Sequence, residues 1–269
     1  MNAIKTFIKG FFIGIANIVP GLSGGTLAVI FGIYEKLINS IWNFLKTFSK
    51  KDFLFLFNIF IGAIIGIFIF AKVLGFLLEQ YETQVSLIFF GLVLGSVPFL
   101  IKQISNKKVS LQNFFLLVFA ILIVLFLNIG LNTETVENQN TINIDFLYGI
   151  KLLISGMIAA SAMIIPGFSG SMLLIIIGEY YNIIHIVENF ILEGILIIGV
   201  GAILGILTIV RLIKYLFENH KDITYTFIVG LILGSLYSIF PNEAIEQPTI
   251  INLLMFILGI ITAYLFSKL

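Results

Sequence analysis

Two short stretches interrupt this otherwise apolar chain at matching places: Pro20-Gly21-Leu22-Ser23-Gly24-Gly25-Thr26 and Pro166-Gly167-Phe168-Ser169-Gly170-Ser171. Proline lacks a backbone donor and glycine loosens the chain, so each stretch breaks a helix. The surroundings are of membrane character: 59% of the 269 residues are hydrophobic and 11% charged, with a mean hydropathy of +1.14. In hydrocarbon, a broken helix survives only where protein or a water-filled cavity satisfies the freed backbone groups. Paired breaks of this kind mark the substrate site of secondary transporters.

The two stretches belong to a longer repeat. An offset of 146 positions carries Pro20 to Pro166 and also pairs Gly21 with Gly167, Ser23 with Ser169, Gly24 with Gly170, Gly32 with Gly178 and Tyr34 with Tyr180. At an offset of 139, Gly62-Ala63-Ile64-Ile65-Gly66-Ile67 returns as Gly201-Ala202-Ile203-Leu204-Gly205-Ile206, and Gly91-Leu92-Val93-Leu94-Gly95-Ser96 as Gly230-Leu231-Ile232-Leu233-Gly234-Ser235. Three blocks in one order, with one length change between them, point to a duplication.

Charge and hydropathy divide the copies further. A bilayer crossing takes about 20 apolar residues, and the arms flanking each Pro-Gly break are mostly shorter. Each break is therefore expected to be the tip of a re-entrant hairpin, full crossings being the alternative. The expected all-α membrane architecture has a first repeat over 1–131 (hairpin 7–41, spans 53–78, 85–101 and 113–131). An external linker over 132–147 follows, then a second repeat over 148–269 (hairpin 148–187, spans 190–217, 225–240 and 250–267). Lys5 and Lys9 ahead of an apolar run mimic a signal peptide, but the run ends without a small-x-small cleavage site and recurs later, so it reads as permanent structure.

Lysines gather at 5 and 9, at 36, 46, 50 and 51 and at 102, 107 and 108, and Arg211, Lys214, Lys221 and Lys268 follow in the second half. Glu79, Glu82, Glu134, Glu137, Asp145, Glu179, Glu188, Glu193, Glu243 and Glu246 occupy the other connections. By the positive-inside rule, both termini and the first hairpin's ends face the cytoplasm while the second hairpin enters from outside. Three spans after each hairpin turn the second copy upside down, giving two inverted-topology repeats.

At each tip the second half-helix starts deep in the membrane with N–H groups that lack intrahelical partners. Glycines there let an anion approach the backbone, and Ser23, Thr26, Ser169 and Ser171 add hydroxyls. Two opposed tips would pinch one anionic group near the midplane. The candidate substrate contacts are Asn17, Pro20, Gly21, Ser23, Gly24, Gly25, Thr26, Pro166, Gly167, Ser169, Gly170 and Ser171. A tight turn between packed helices is the plainer reading, although a turn does not require the serine and both glycines to be repeated. The motif lacks the lysine of a P-loop and is unlike a potassium filter.

Ionisable groups inside spans are costly without a partner or a task. Lys72 matches Arg211 and Glu79 matches Glu218 at the 139 offset. Lys72 and Arg211 read either as ligands of a phosphate or counter-ion, or as snorkelling cations near span ends. Glu35 reads as a relay for a proton or other coupling ion, or as a solvated helix end; Glu218 is a second such candidate. Asn17 has Met163 as its counterpart, so it breaks the symmetry, as ligand or as interhelical glue. Tyr34 and Tyr180 read as interfacial anchors. His185 and His220 have no metal-ligand companions, and no cofactor is expected. A net charge of +1 attracts no nucleic acid, and without cysteine there is neither a disulfide framework nor a thiolate site.

The run Asn17-Ile18-Val19-Pro20-Gly21-Leu22-Ser23-Gly24-Gly25-Thr26, continued by Gly32-Ile33-Tyr34-Glu35, and the run from Ala162 to Ser171 resemble the bacterial polyprenyl-phosphate transporters, formerly a domain-of-unknown-function family. The resemblance extends over essentially the whole chain. It implies a flippase of the cytoplasmic membrane that returns undecaprenyl phosphate, the carrier of cell-wall and surface-polymer precursors, from the outer to the inner leaflet. Its partners would be that lipid, the surrounding membrane lipids and a proton or other coupling ion. A long isoprenoid tail calls for a lateral opening beside the tips. The rival transport class is a secondary transporter or channel for a small soluble anion. A phosphatase would need a nucleophile, an acid–base group and cationic clamps together, and neither motif supplies a histidine or paired glutamates.

Overall fold

The computed structural model describes residues 2–19, 22–104, 111–129, 144–246 and 248–267. Pro20, Gly21, Lys107, Lys108, Lys268 and the linker over 132–143, with Glu134 and Glu137, lie outside the described residues. Every described element is helical. In order they are α1 (Ala3–Ala16), α2 (Gly24–Ile30), α3 (Tyr34–Thr47), α4 (Lys50–Ile101), α5 (Leu111–Ile129), α6 (Phe146–Ile164), α7 (Gly170–Ile176), α8 (Tyr180–Glu188), α9 (Leu192–Asn219), α10 (Lys221–Ile239), α11 (Glu243–Glu246) and α12 (Ile250–Phe266).

Among the described residues, five helices are long and apolar enough to cross a membrane: α4, α5, α6, α9 and α10. At 1.5 Å per residue the 52 residues of α4 would run to about 78 Å, more than twice a hydrocarbon core of about 30 Å. Tyr81 breaks it, with φ −139° and ψ 40° in the polar stretch between Glu79 and Glu82. Two arms result, one on each side of the break. The 17 residues of α12 are apolar but shorter. α6, at 19 residues, is of spanning length, whereas its counterpart α1 has 14, so the first arms of the two hairpins differ in reach. α7 and α8 form a bent pair with an angle of 114°. Large side chains such as Phe68, Phe119 and Phe126 stand exposed on the outer flanks, where lipid rather than water is a tolerable neighbour.

Small residues set the helix spacing. A methyl group on Gly62 would lie 2.3 Å from the Phe7 carbonyl oxygen, and one on Gly201 would lie 2.1 Å from that of Leu153. Gly66 meets the Phe11 oxygen at 2.2 Å and Gly205 that of Met157 at 2.3 Å. Gly10 lies against Ile59 as Gly156 lies against Ile198. In all three pairs both partners are displaced by the offsets of the sequence repeat, 146 for α1 to α6 and 139 for α4 to α9. The interfaces α1·α4 and α6·α9 are thus built on the same contacts, close enough that no side chain fits between the backbones.

The later helices cross over. Gly91 of α4 packs on Phe256 of α12, and Gly230 of α10 packs on Leu117 of α5; Gly95 meets Ile260 as Gly234 meets Ile121. Each pair is again displaced by 139, but the partner now belongs to the other half of the chain. The inner face of the bundle is held by α2, all of whose residues are buried, and by α10, which is 67% buried where the other spans are 11–22% buried.

Candidate functional site

In the first hairpin, Ser23 is the N-cap of α2. Its Oγ accepts from the Thr26 N–H at 3.2 Å and lies 2.9 Å from Thr26 Oγ1. The Asn17 side chain, one turn before the break, folds back so that its Oδ1 accepts from the Gly24 N–H at 2.9 Å. Two of the first-turn donors of α2, those of Gly24 and Thr26, are thereby occupied by the hairpin itself. Ser23, Gly24, Gly25 and Thr26 are all buried.

The second hairpin is built on the same plan with one piece missing. Ser169 occupies the N-cap position of α7, but its hydroxyl makes no cap bond and lies 2.7 Å from that of Ser171, on an exposed edge. Where the first hairpin has Asn17, the second has Met163, an apolar side chain that lies against Gly170 and offers it no oxygen acceptor. Pro166 is buried, and Gly167 takes the left-handed conformation with φ +82°. A methyl group there would fall 2.6 Å from the Leu231 oxygen on α10, so both the turn and the packing require glycine.

The two tips touch. The Gly167 N–H donates to Thr26 Oγ1 at 3.0 Å, and the Tyr34 hydroxyl donates to the Ile164 oxygen at 3.1 Å. Both bonds run from side chains of the first hairpin to backbone groups around the break of the second. Gly25 also abuts the Ile164 oxygen, where a methyl would stand at 2.8 Å. Asn17, Ser23, Gly24, Gly25, Thr26, Pro166 and Gly167 therefore lie in or beside the contact, while Gly170 is buried next to it and Ser169 and Ser171 reach the open edge. Pro20 and Gly21 lie outside the described residues. The helices behind the tips have only seven residues each, so what the tips can offer an anion is individual N–H and O–H donors rather than a long helix dipole.

The charged candidates are dispersed. Lys72 and Arg211 are exposed on α4 and α9, with no hydrogen bond or ion pair among the described residues. Glu218 is exposed and pairs with Lys214 at 3.3 Å one turn back on its own helix. Glu35 bridges the halves: Lys221 lies 2.9 Å from its Oε2, and the Tyr225 hydroxyl donates to the same oxygen at 3.4 Å. Glu35 and Tyr225 line a cavity of about 310 Å³ whose wall also includes Phe31, Tyr34, Phe99 and Lys102. Tyr34 thus lines this cavity and also bonds the second tip.

Tyr34 is buried and joins the two hairpins, which corrects its reading as an interfacial anchor: the apolar sequence around it hides its hydroxyl from water, and the broken end of α6 provides the acceptor. Lys9 carries no site role in the sequence reading, yet it is buried with its Nζ donating to the Phe31 oxygen at the C-terminal end of α2, 3.0 Å away. Glu179, grouped by sequence with the external acidic residues, is wholly buried. The signal for it was available, because the 146 offset places Glu179 opposite Ile33, a charge facing a hydrophobe.

The family model described as undecaprenyl phosphate translocase-like matches residues 13–252, a stretch that includes both Pro-Gly breaks and the five helices of spanning length. The chain belongs to this family. Among curated relatives, it is 35% identical to the polyprenyl-phosphate transporter of Vibrio cholerae over 90% of this chain and 79% of that one. It is 31% identical to the polyprenyl-phosphate transporter of Staphylococcus aureus over 95% and 93%. No solved structure matches. With its apolar helices, this family member is a multi-pass membrane protein.

Proposed function

We propose that this protein is a flippase that returns undecaprenyl phosphate from the outer to the inner leaflet of the bacterial cytoplasmic membrane, recycling the carrier for envelope polymers. The observation that carries the reading is the meeting of the two repeated tips through Thr26 and Gly167, in a chain whose relatives are named polyprenyl-phosphate transporters. A phosphate crossing hydrocarbon unaided would lose its hydration at a cost of many kcal/mol, and a cradle of backbone and hydroxyl donors offsets that loss.

The head group docks first on the open edge formed by the Ser169 and Ser171 hydroxyls, with the buried Gly170 behind them and the tail left in lipid through a lateral opening. Tip 1 contributes once Asn17 releases the Gly24 N–H. Lys72 and Arg211 act as approach charges. The copies are inverted-topology repeats, each a re-entrant hairpin followed by three spans, with both termini in the cytoplasm; the lysine-rich connections support that orientation. The crossed contacts of Gly91 with Phe256 and Gly230 with Leu117 support a two-fold relation between copies, because an exchange of equivalent partners is what such an axis produces. Glu35, Lys221 and Tyr225 then close the cytoplasmic side, and transport alternates that closure with one outside. No catalytic step is assigned.

The test is leaflet exchange of a labelled polyprenyl phosphate in liposomes containing the purified protein. The Ser23→Ala, Ser169→Ala double variant is expected to slow exchange at least tenfold. Equal exchange in wild type and double variant would sink the hairpin site, and transport of small anions without lipid exchange would replace the lipid substrate.

A further inference from the structure

Glu179 sits at the 114° bend between α7 and α8, directly after Gly178 with its φ of +73°. Its backbone belongs to the hinge: its N–H donates to the Leu174 oxygen and its carbonyl accepts from the Ile183 N–H. The side chain turns inward and is 0% exposed. The Tyr148 hydroxyl donates to Oε2 at 3.0 Å and the Asn182 amide donates to the same oxygen at 3.2 Å, so that oxygen is doubly served. Oε1 has Lys151 alone, held as an ion pair and not as a well-aligned hydrogen bond. The Lys151 side chain is 56% exposed. A half-exposed cation thus neutralises one oxygen of a buried carboxylate whose other oxygen is held by two hydrogen bonds.

The position does not need a charge to fold. Its counterpart Ile33 fills the equivalent bend of the first hairpin as a buried hydrophobe. Lys151 in turn corresponds to Lys5, so the second copy keeps the lysine and adds the acid. The remaining charged and titratable groups nearby are few among the described residues. Asp145 caps α6 and Tyr148 lies on it, Tyr180 and Tyr181 open α8 with His185 and Glu188 farther along it, and Glu193 of α9 is exposed beyond it.

We infer that Glu179 is a proton-binding site, at which a proton and the Lys151 ammonium compete for Oε1. A buried carboxylate left without Lys151 cannot stay ionised cheaply, so it takes up a proton when the lysine swings to water. The pair then passes from zero net charge to +1, with the proton on Glu179 Oε1 and Lys151 keeping its own protons. The inference rests on the transport reading above. Moving a phosphate anion inward runs against a membrane potential that is negative inside, and an added positive charge on the same hairpin offsets part of that charge. Glu179 follows the start of α7 by nine residues, of which the helix Gly170–Ile176 supplies about 9 Å of rise before the bend. The bend therefore couples to the tip through α7 and does not touch the head group, which makes Glu179 a coupling residue and not a phosphate ligand.

The experiment measures leaflet exchange of labelled polyprenyl phosphate in proteoliposomes across external pH, with an internal pH dye recording proton entry. Wild type is expected to exchange more slowly as external pH rises and to carry protons inward with lipid. Glu179→Gln is expected to flatten the pH profile and cut proton entry per lipid at least tenfold. Lys151→Gln removes the competing cation and is expected to move the profile's midpoint up by about one unit or more. A Glu179→Gln protein that keeps the wild-type profile and proton entry, or a Lys151→Gln protein whose midpoint stays put, overturns the proposal. Should Glu179→Gln fail to fold, the Lys151→Gln midpoint decides. A lipid-independent arm separates this idea from the substrate reading: the chain has no cysteine, so Ser171→Cys can be labelled alone in the substrate-free protein. Its labelling rate is expected to change with pH, and to lose that dependence when Glu179→Gln is added; a pH-independent rate overturns the coupling even if the lipid is exchanged.

Discussion

The two hairpins share a sequence motif but not a condition. In the first, Asn17 and Ser23 occupy the Gly24 and Thr26 N–H groups, and the tip is buried. In the second, Met163 replaces the asparagine, Ser169 caps nothing, and two hydroxyls face an open edge. One tip occupies two of its own backbone donors and lends its threonine to the other. A site assembled from unequal halves can take up a ligand in two stages, the open half first, whereas two open halves would leave both sets of donors bare in hydrocarbon whenever the site is empty.

The comparison breaks most severely at Gly167. Gly167→Ala would place a β-carbon at φ +82° and against the Leu231 oxygen, costing roughly 1–3 kcal/mol in backbone strain before the collision is counted. The expected result is a large drop in thermal midpoint in detergent, or no folded protein. Gly24→Ala meets only the Asn17 side chain, which can move, and should lose about 1 kcal/mol. Next comes the bridge. Thr26→Val strands the Gly167 N–H at a cost of about 1–3 kcal/mol, and Thr26→Ser restores the acceptor, so thermal unfolding should place serine close to wild type and valine well below it.

Exchanging the asymmetry itself is a milder test. Met163→Asn gives the second tip the cap that the first one has and is expected to weaken binding of a short-chain polyprenyl phosphate about tenfold in a fluorescence titration. Asn17→Met opens the first tip, at about 1 kcal/mol of stability. The smallest effect belongs to Glu218→Gln, which removes an exposed pair within one helix and should change stability by no more than about 0.5 kcal/mol.

Much of this was legible in the residues because a membrane interior punishes exceptions. Glycine blocks spaced for close helix contact recur at fixed offsets, and the structure places their partners at the same offsets, as with Gly62 on Phe7 and Gly201 on Leu153. The inequality of the tips was half legible: the mismatch of Asn17 with Met163 was visible, but which backbone donor the amide would serve depends on how the chain folds back. The Glu35 bridge to Lys221 joins residues far apart in the chain, and no local pattern announces it. Glu179 was obscured by its company, since a glutamate among other acidic residues near a connection reads as solvated. Its one sequence cue was the hydrophobic counterpart Ile33, and it is the turn after Gly178 that drives it inward.

The crossed packing of α4 on α12 and α10 on α5 has a consequence for ancestry. A single copy on its own would present two glycine-lined faces with nothing to cover them, so it would have been stable only alongside a second copy, each lending its last helix to the other. On that account the present chain is a homodimer with its subunits joined end to end, and fusion is what allowed the two tips to diverge. Positions 17 and 163 can hold different residues, asparagine and methionine, because one gene now encodes both sides.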